Sequence, residues 1–237
     1  MSANIIIGRN AVRQHLQSNQ HIEKLYLRDR QSMNDGLRQI IQTAKKQRIQ
    51  IQWLAPHRFD DRFEGDHQGI ACITHGFSQQ TVADICRQMP PVVVMLDHLN
   101  DPHNFGAICR TAEAFGVSNI IYPKNRAVQL TPSAVKAAAG ATENLSFSQV
   151  TNLRQSLDQL KDAGYWIYAA SSNIGDTIEQ AQFNRPMVLI CGSEESGISP
   201  GLKKTIDSYV HIPMRGKTSS LNVSVATGII LAKIAFS

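Results

Sequence analysis

The stretch VVVMLDHLNDPHNFGAICRTAEAFG, residues 92–116, decides the fold class of this 237-residue chain. Its first five residues form a continuous apolar run of the kind that fills a parallel sheet buried on both faces. The residues from Asn104 onward have apolar side chains at helical spacing and end in Gly116, a residue type that commonly closes a helix. A buried strand followed directly by a helix predicts one unit of a helix-covered parallel sheet.

The same alternation of strand and helix continues to the C-terminus. Strand patterns follow at residues 119–123, 165–171, 187–192 and 209–214, and helical patterns at residues 131–140, 152–164 and 220–236. This order predicts an α/β domain built on a parallel sheet. Ligands of such sheets bind beyond the carboxyl ends of the strands. We therefore expect the chemistry in the loops after Leu96, Ile190 and Ile212.

The front of the chain predicts a second, smaller α/β domain. Strand patterns at residues 4–8, 22–29, 49–55 and 69–75 surround helical patterns at residues 11–16 and 34–49. Pro90 and Pro91 mark a chain that has left regular structure. The sequence thus predicts a domain at residues 1–76, a linker at residues 77–90 and the parallel-sheet domain at residues 91–237.

Charge and composition narrow the function. The formal net charge is +5, and residues 1–87 contribute +4 of it, with twelve Lys and Arg against eight Asp and Glu. A basic front domain favours a polyanionic partner, although a basic solvated surface is the simpler alternative. No apolar run approaches the ~20 residues that span a bilayer. The N-terminus has no signal-peptide pattern, so a cytoplasmic location without a membrane partner is expected.

The cysteines argue against a metal centre. The four of them lie far apart, with no CxxC pair and no histidine at zinc-ligand spacing: Cys72, Cys86, Cys109 and Cys191. Such cysteines are most simply buried thiols, and no metal is expected.

The tripeptide Gly216-Lys217-Thr218 is similar to the end of a phosphate-binding loop motif. The true motif needs a glycine five residues earlier, because that glycine lets backbone N–H groups wrap the phosphates. His211 stands at that position, and Pro213 between them has no N–H to offer. A nucleotide hydrolase is therefore disfavoured.

Three polar loops follow predicted strands and carry the candidate chemistry. They hold Asn104, Gly106 and Arg110 in the first, Gly192, Glu194 and Gly197 in the second, and Ser220 and Asn222 in the third. We expect Asn104 to cap a helix and Gly106 to let another group approach that helix closely. The simpler alternatives are a capped helix with a surface arginine, an acidic turn and a buried C-terminal helix.

The three loops resemble the three signature motifs of the SpoU (TrmH) family of RNA ribose 2′-O-methyltransferases, within the trefoil-knotted SPOUT class. Residues 104–110 match Asn-x-Gly-x-x-x-Arg, residues 192–197 match Gly-x-Glu with a further glycine, and residues 212–224 match Ile-Pro-Met…Ser-Leu-Asn-Val-Ser. One departure is Glu195-Ser196, where relatives often carry a second glycine after the glutamate. The front domain, with its IIIGRNAV opening, resembles the family's RNA-binding domain, which is similar to ribosomal protein L30e.

The resemblance implies a C-terminal segment that threads a loop, with S-adenosylmethionine bound in the resulting knot. It assigns cofactor contacts to Gly192, Ile212, Met214 and Leu221, and catalytic roles to Arg110, Asn104, Glu194, Ser220 and Asn222. Arg110 would activate the ribose hydroxyl. Because arginine stays protonated in proteins, stabilising a developing alkoxide is physically easier for it than acting as a base.

The resemblance also implies partners. It points to a homodimer that methylates a guanosine ribose in the peptidyl-transferase region of 23S ribosomal RNA, either as free RNA or in a pre-ribosomal particle. A transfer RNA ribose is the main alternative substrate. A non-catalytic RNA-binding factor for ribosome assembly, built on the same scaffold, is the alternative from another functional class.

Overall fold

The computed structural model describes residues 3–17, 22–75, 77–193 and 196–237. The chain divides into two compact units, Met1–Gly76 and Phe77–Ser237. The first unit contains strands β1 (Ala3–Ile7), β2 (Ile22–Arg28), β3 (Gln50–Leu54) and β4 (Ile70–His75), and helices α1 (Arg9–Gln17), α2 (Asp35–Lys46) and α3 (Pro56–Arg62). Its four strands lie in the order β1-β4-β2-β3, and β4 is antiparallel to both of its neighbours.

Both faces of this first sheet are covered, because side chains alternate along β2. Leu25 and Leu27 point into a core shared with α1 and α2. Tyr26 points to the opposite face, where it packs on Phe59 of α3 and on Phe63, the residue that follows the helix. Helix α3 was not predicted, since its seven residues offer only one pair of apolar side chains at helical spacing.

The second unit contains eight strands and five helices within its described residues. The strands are β5 (Ser78–Gln79), β6 (Val92–Asp97), β7 (Asn119–Pro123), β8 (Ser146–Val150), β9 (Trp166–Ser171), β10 (Asp176–Thr177), β11 (Met187–Gly192) and β12 (Ser208–His211). The helices are α4 (Val82–Gln88), α5 (Pro102–Ala114), α6 (Pro132–Ala138), α7 (Leu153–Asp162) and α8 (Val223–Ala235).

The strands of the second unit form one parallel sheet in the order β10-β12-β9-β11-β6-β7-β8-β5. Every residue of β6 is buried, and alternate side chains face two cores. One core lies under α5, α6 and α8, and the other lies under α4 and α7. The prediction of an α/β domain with a helix-covered parallel sheet is confirmed.

Strand β12 is inserted between two strands that precede it in the chain, β9 and β10. The connection from β9 to β10 therefore has to cross β12. Gly175 marks the crossing, since a Cβ on it would overlap the backbone of Tyr209 in β12. This is the strand arrangement expected of a C-terminal segment that threads an earlier loop.

The segment predicted as a linker, residues 77–90, is instead part of the second unit. It holds β5, which pairs with β8, and α4, whose Ile85 is fully buried against the sheet. The side chain of Thr81 accepts a hydrogen bond from the backbone N–H of Asp84, whose carboxylate accepts one from the N–H of Thr81. This Thr-x-x-Asp capping box is the sequence signal that the linker prediction overlooked.

No helix among the described residues is long and apolar enough to cross a membrane.

Candidate active site

The first two polar loops leave the sheet side by side. Strands β6 and β11 are parallel neighbours, with Asp97 opposite Gly192 at their carboxyl ends. The first and third loops meet through helices, because α5 and α8 pack on the same face of the sheet. The sheet topology therefore brings three segments together at one edge, although the first and the third are more than eighty residues apart in the sequence.

A buried carboxylate joins the first two loops. Asp97 is fully buried, and its Oδ2 accepts a hydrogen bond from the backbone N–H of Ser199 at 2.6 Å. Its Oδ1 accepts one from the Ser199 hydroxyl at 2.8 Å and lies 2.6 Å from Nδ1 of His98. No sequence motif pointed to Ser199 as a partner of Asp97. The sequence indicated only that a carboxylate directly after an apolar strand needs buried hydrogen-bond donors.

We expect Asp97→Asn to destabilise this unit by about 2 kcal/mol. One orientation of the new amide turns its NH2 group toward the backbone N–H of Ser199, and the other keeps that hydrogen bond but loses the negative charge that strengthens it. The matched control is Asp101→Asn. Asp101 caps α5 by accepting a hydrogen bond from the N–H of His103 at 2.9 Å, and asparagine caps a helix equally well. Urea unfolding compares the two variants, and equal midpoints would show that the carboxylate does not hold the loops together.

The expectation that Asn104 caps a helix was wrong. Helix α5 begins three residues earlier, with Asp101 as the N-cap and Pro102 in the first turn, where its fixed φ favours a helix start. Asn104 lies inside the first turn and is buried. Its Oδ1 accepts a hydrogen bond of 3.0 Å from Nδ2 of Asn222. The structure thus brings Asn104 of the first loop and Asn222 of the third loop together.

Asn222 has a second contact that fixes its position. Its Oδ1 caps α8 by accepting hydrogen bonds from the N–H of Ser224 at 2.8 Å and from the Ser224 hydroxyl at 2.6 Å. Because its acceptor oxygen holds the helix and its amide donates to Asn104, Asn222 links α5 to the start of α8.

Gly106 allows close packing, as expected, and the approaching group is α6 of the same chain. A Cβ on Gly106 would overlap the carbonyl oxygen of Ala134 and would lie 2.6 Å from the Cβ of Ala137. A second close contact involves Gly228 of α8, where a Cβ would lie 3.2 Å from the side chain of Thr111. Small residues therefore bring α6 and α8 close to α5.

Arg110 lies on another side of α5. It is six residues beyond Asn104, which rotates it by about 240° around a helix with 3.6 residues per turn. Its side chain is exposed and makes no hydrogen bond or ion pair with the described residues. Among the described residues, no hydrogen bond joins Arg110 to Asn104 or Asn222. The described part of this chain therefore leaves the guanidinium of Arg110 available to a group from another molecule.

The second loop is a tight turn at the end of β11. Ser193 and Gly197 exchange two backbone hydrogen bonds of 3.0 Å, and Gly197 adopts a positive φ of 65°. A Cβ on Gly192 would lie 2.7 Å from the backbone nitrogen of Ile198, so this position requires glycine. Glu194, the predicted catalytic residue of this loop, lies outside the described residues, as does Glu195 of the departure from the motif.

The residues assigned to the cofactor surround the end of β12. Ile212, Met214 and Leu221 are half-buried, and their backbone groups make no hydrogen bond to the other described residues. Nδ1 of His211 is buried and has no hydrogen-bond partner in the described part of the chain. Buried polar atoms without a protein partner, such as this nitrogen and the backbone groups, need water or a ligand. Open backbone groups beside apolar side chains fit the adenosine part of S-adenosylmethionine.

Ser220, the remaining predicted catalytic residue, is exposed between this segment and α8. The nearby Gly216, Lys217 and Thr218 are exposed as well. A phosphate-binding loop leads directly into a helix, whereas here the next helix begins only at Val223.

Three of the four cysteines are buried, and burial sets their reactivity. It raises the pKa of Cys72 to about 12 and that of Cys191 to about 11, and it also raises the pKa of Cys109. A raised pKa lowers the thiolate fraction, so we expect these thiols to resist alkylation of the folded protein at pH ~8. Cys86 is partly exposed and should react first. Mass spectrometry after brief iodoacetamide treatment checks this, and early labelling of Cys191 would contradict the packing.

Comparison with known proteins identifies the family of this chain. Residues 91–232 match the model of the SpoU rRNA methylase family, and residues 5–80 match the RNA 2′-O ribose methyltransferase substrate-binding family. A Bacillus subtilis (strain 168) protein, provisionally named the TrmH family tRNA/rRNA methyltransferase YacO, is 34% identical over 97% of this chain and 94% of its own length. A Staphylococcus haemolyticus protein with the same provisional family name is also 34% identical, over 97% of this chain and 94% of its own.

Solved structures share the fold. The SpoU methyltransferase AviRb of Streptomyces viridochromogenes, in complex with AdoMet, has a TM-score of 0.65 and 21% identity, covering 99% of this chain and 90% of that one. An AdoMet-bound rRNA methyltransferase of Sinorhizobium meliloti has a TM-score of 0.64 and 22% identity, covering 98% of this chain and 86% of that one. With its family match across residues 91–232 and relatives of this similarity, the chain belongs to the SpoU (TrmH) family of RNA methyltransferases.

Proposed function

We propose that this protein transfers a methyl group from S-adenosylmethionine to the ribose 2′-oxygen of a guanosine. The guanosine lies in the peptidyl-transferase region of 23S ribosomal RNA. The observation that carries the proposal is the hydrogen bond between Asn104 and Asn222, which joins two signature motifs at one sheet edge. The nearby open backbone at Ile212 and Leu221 supports a cofactor site there.

The cofactor would lie against the backbone of Gly192, Ile212 and Leu221, with Met214 at its margin. When bound, it supplies a methyl group on a sulfonium centre, whose leaving group is neutral. The tight turn at Gly192 and the half-buried side chains would exclude water from one side of it. Holding the methyl group and the ribose oxygen in line provides much of the acceleration.

The hydroxyl is the harder partner, because it is a weak nucleophile until it loses its proton. The guanidinium of Arg110 would stabilise the negative charge that develops on the 2′-oxygen, or the adjacent phosphate. Its exposure and its lack of partners among the described residues leave it free for this role. Asn104, Asn222 and Ser220 would orient the ribose, together with Glu194.

A homodimer in the cytoplasm is part of the proposal. Three exposed apolar side chains lie along α8 and at the residue that follows it: Val225 at 50%, Ile229 at 39% and Phe236 at 84%. Their spacing of four and seven residues places them in one stripe. A second copy would cover this stripe beside the site. Light scattering at micromolar concentration checks the dimer, and a monomer would count against it.

The decisive experiment offers S-adenosylmethionine with a tritiated methyl group and either unmodified 23S ribosomal RNA or transfer RNA. A 2′-O-methyl group blocks alkaline cleavage, so label should appear in an alkali-resistant dinucleotide from 23S RNA that begins with guanosine. Label only in transfer RNA would retain the ribose chemistry and reject the ribosomal substrate.

A third result favours a different function. If neither RNA is labelled although the cofactor binds, a pre-ribosomal particle becomes the next substrate to try. Failure there would support a non-catalytic factor for ribosome assembly.

A further inference from the structure

The first unit separates its charges between the two faces of its sheet. Helices α1 and α2 contain Asp35 as their one carboxylate, and exposed cations lie around the C-terminal ends of these helices. On the opposite face, residues 56–66 contain four carboxylates and two arginines. We define the exposed cations Arg13, Lys45, Lys46 and Arg48 as the α1–α2 basic face.

These cations lie on a rigid support. Nε2 of Gln47 donates a hydrogen bond of 2.9 Å to the carbonyl oxygen of Leu16, which joins the end of α1 to the end of α2. The two helices share the core beneath them. Arg13 lies about one turn before the end of α1, and Lys45 and Lys46 occupy the last turn of α2.

The cations in and just after the last turn of α2 are unpaired in the described structure. Lys45, Lys46 and Arg48 form no ion pair with any residue in the described ranges. The helix dipole favours cations in a last turn, and this accounts for the two lysines. It does not account for Arg48 beyond the helix, for Arg13 on the neighbouring helix, or for the concentration of carboxylates on the other face.

We propose that the α1–α2 basic face binds the sugar–phosphate backbone of the RNA substrate. The opposite face of the sheet, which carries α3, stays turned away from the RNA. The inference rests on the proposed function, since it concerns the same substrate. Exposed amide side chains at Gln14, Gln17 and Gln42 add neutral donors that suit phosphate and 2′-hydroxyl groups. Contacts of this kind position an RNA without reading its bases, so the face binds through shape and charge.

The test compares two double variants of equal charge. Lys45→Gln with Lys46→Gln removes two cations from the face. Lys203→Gln with Lys204→Gln removes two adjacent exposed lysines from the second unit. Fluorescence anisotropy with a labelled 23S RNA fragment gives the Kd over a range of salt concentrations, and thermal unfolding verifies that both variants are folded.

We expect the first variant to weaken RNA binding about tenfold or more at low salt. The slope of log Kd against log salt concentration should fall by about 1.4–1.8, as expected for two lost phosphate contacts. In methyl transfer, KM for RNA should rise while kcat at saturating RNA is retained. The control should stay close to wild type in both assays.

Equal losses in the two variants would overturn the proposal, since only net charge would then matter. Unchanged binding in the first variant would also overturn it. Because binding is measured without the cofactor, the two failures are separable. Wild-type protein that binds RNA through this face yet transfers no methyl group would reject the function and retain the face. Normal methyl transfer by the first variant at low RNA concentration would reject the α1–α2 basic face as the RNA-binding surface and retain the proposed function.

Discussion

Arg110→Ala is expected to lower kcat by about 10²–10³-fold, the usual cost of removing one group that stabilises transition-state charge. The Kd for S-adenosylmethionine should stay within about twofold, because Arg110 is exposed and forms no hydrogen bond or ion pair with the described residues, Ile212 included. Its exposure also means that the fold should be unaffected. Single-turnover methyl transfer and calorimetric titration of the cofactor measure the two quantities separately.

Arg110→Lys is the matched variant, since it keeps the positive charge and loses the planar fork of donors. A rate between those of the wild type and Arg110→Ala would show that both the charge and the donor geometry of Arg110 contribute to turnover. If alanine at this position weakened cofactor binding as much as it lowered turnover, Arg110 would be a binding residue, and the assignment to the ribose oxygen would be wrong.

Gly106→Ala is expected to lower the free energy of unfolding by about 3 kcal/mol, a large effect for one methyl group. The new Cβ would overlap the carbonyl oxygen of Ala134 and would lie 2.9 Å from the backbone nitrogen of Ala138. Since both are backbone atoms of α6, no side-chain rotation relieves the clash. The two helices must separate.

Gly201→Ala provides the control for this change. Gly201 is exposed, its φ is not positive, and no atom lies within 4 Å of the place where a Cβ would stand. Its unfolding free energy should change by less than about 0.5 kcal/mol. Urea unfolding of both variants gives the comparison, and a small loss at Gly106 would show that the motif glycine serves something other than helix packing.

The sequence predicted the long elements of the fold well, because their patterns are strong. The apolar run of β6 and a helix within residues 131–140, α6, both appear as expected. The elements it missed are short or lack a pattern. Strand β10 has two residues, and α4 was hidden by the two prolines that follow it. In each case packing against the large sheet supplies the stability that local sequence does not.

The candidate site was partly predictable for a similar reason. Motif order and the parallel sheet were sufficient to expect Asn104 near Asn222, and the structure places them in contact. The link between Asp97 and Ser199 spans 102 residues and depends on the register of two neighbouring strands. No local pattern contains that register. The position of Arg110 relative to the asparagine pair depends in the same way on the cap of α5, Asp101, which lies three residues before the expected cap.

The placement of β12 between β9 and β10 has a consequence for biosynthesis. A ribosome releases the residues of β10 about thirty residues before those of β12, yet β12 is the one strand that pairs with β10 among the described residues. Until β12 arrives, the nascent chain presents β9 as an open edge, and such edges favour association between chains. The last stage of folding therefore has to wait for the end of translation, and a pause or truncation before Ser208 would leave an aggregation-prone intermediate.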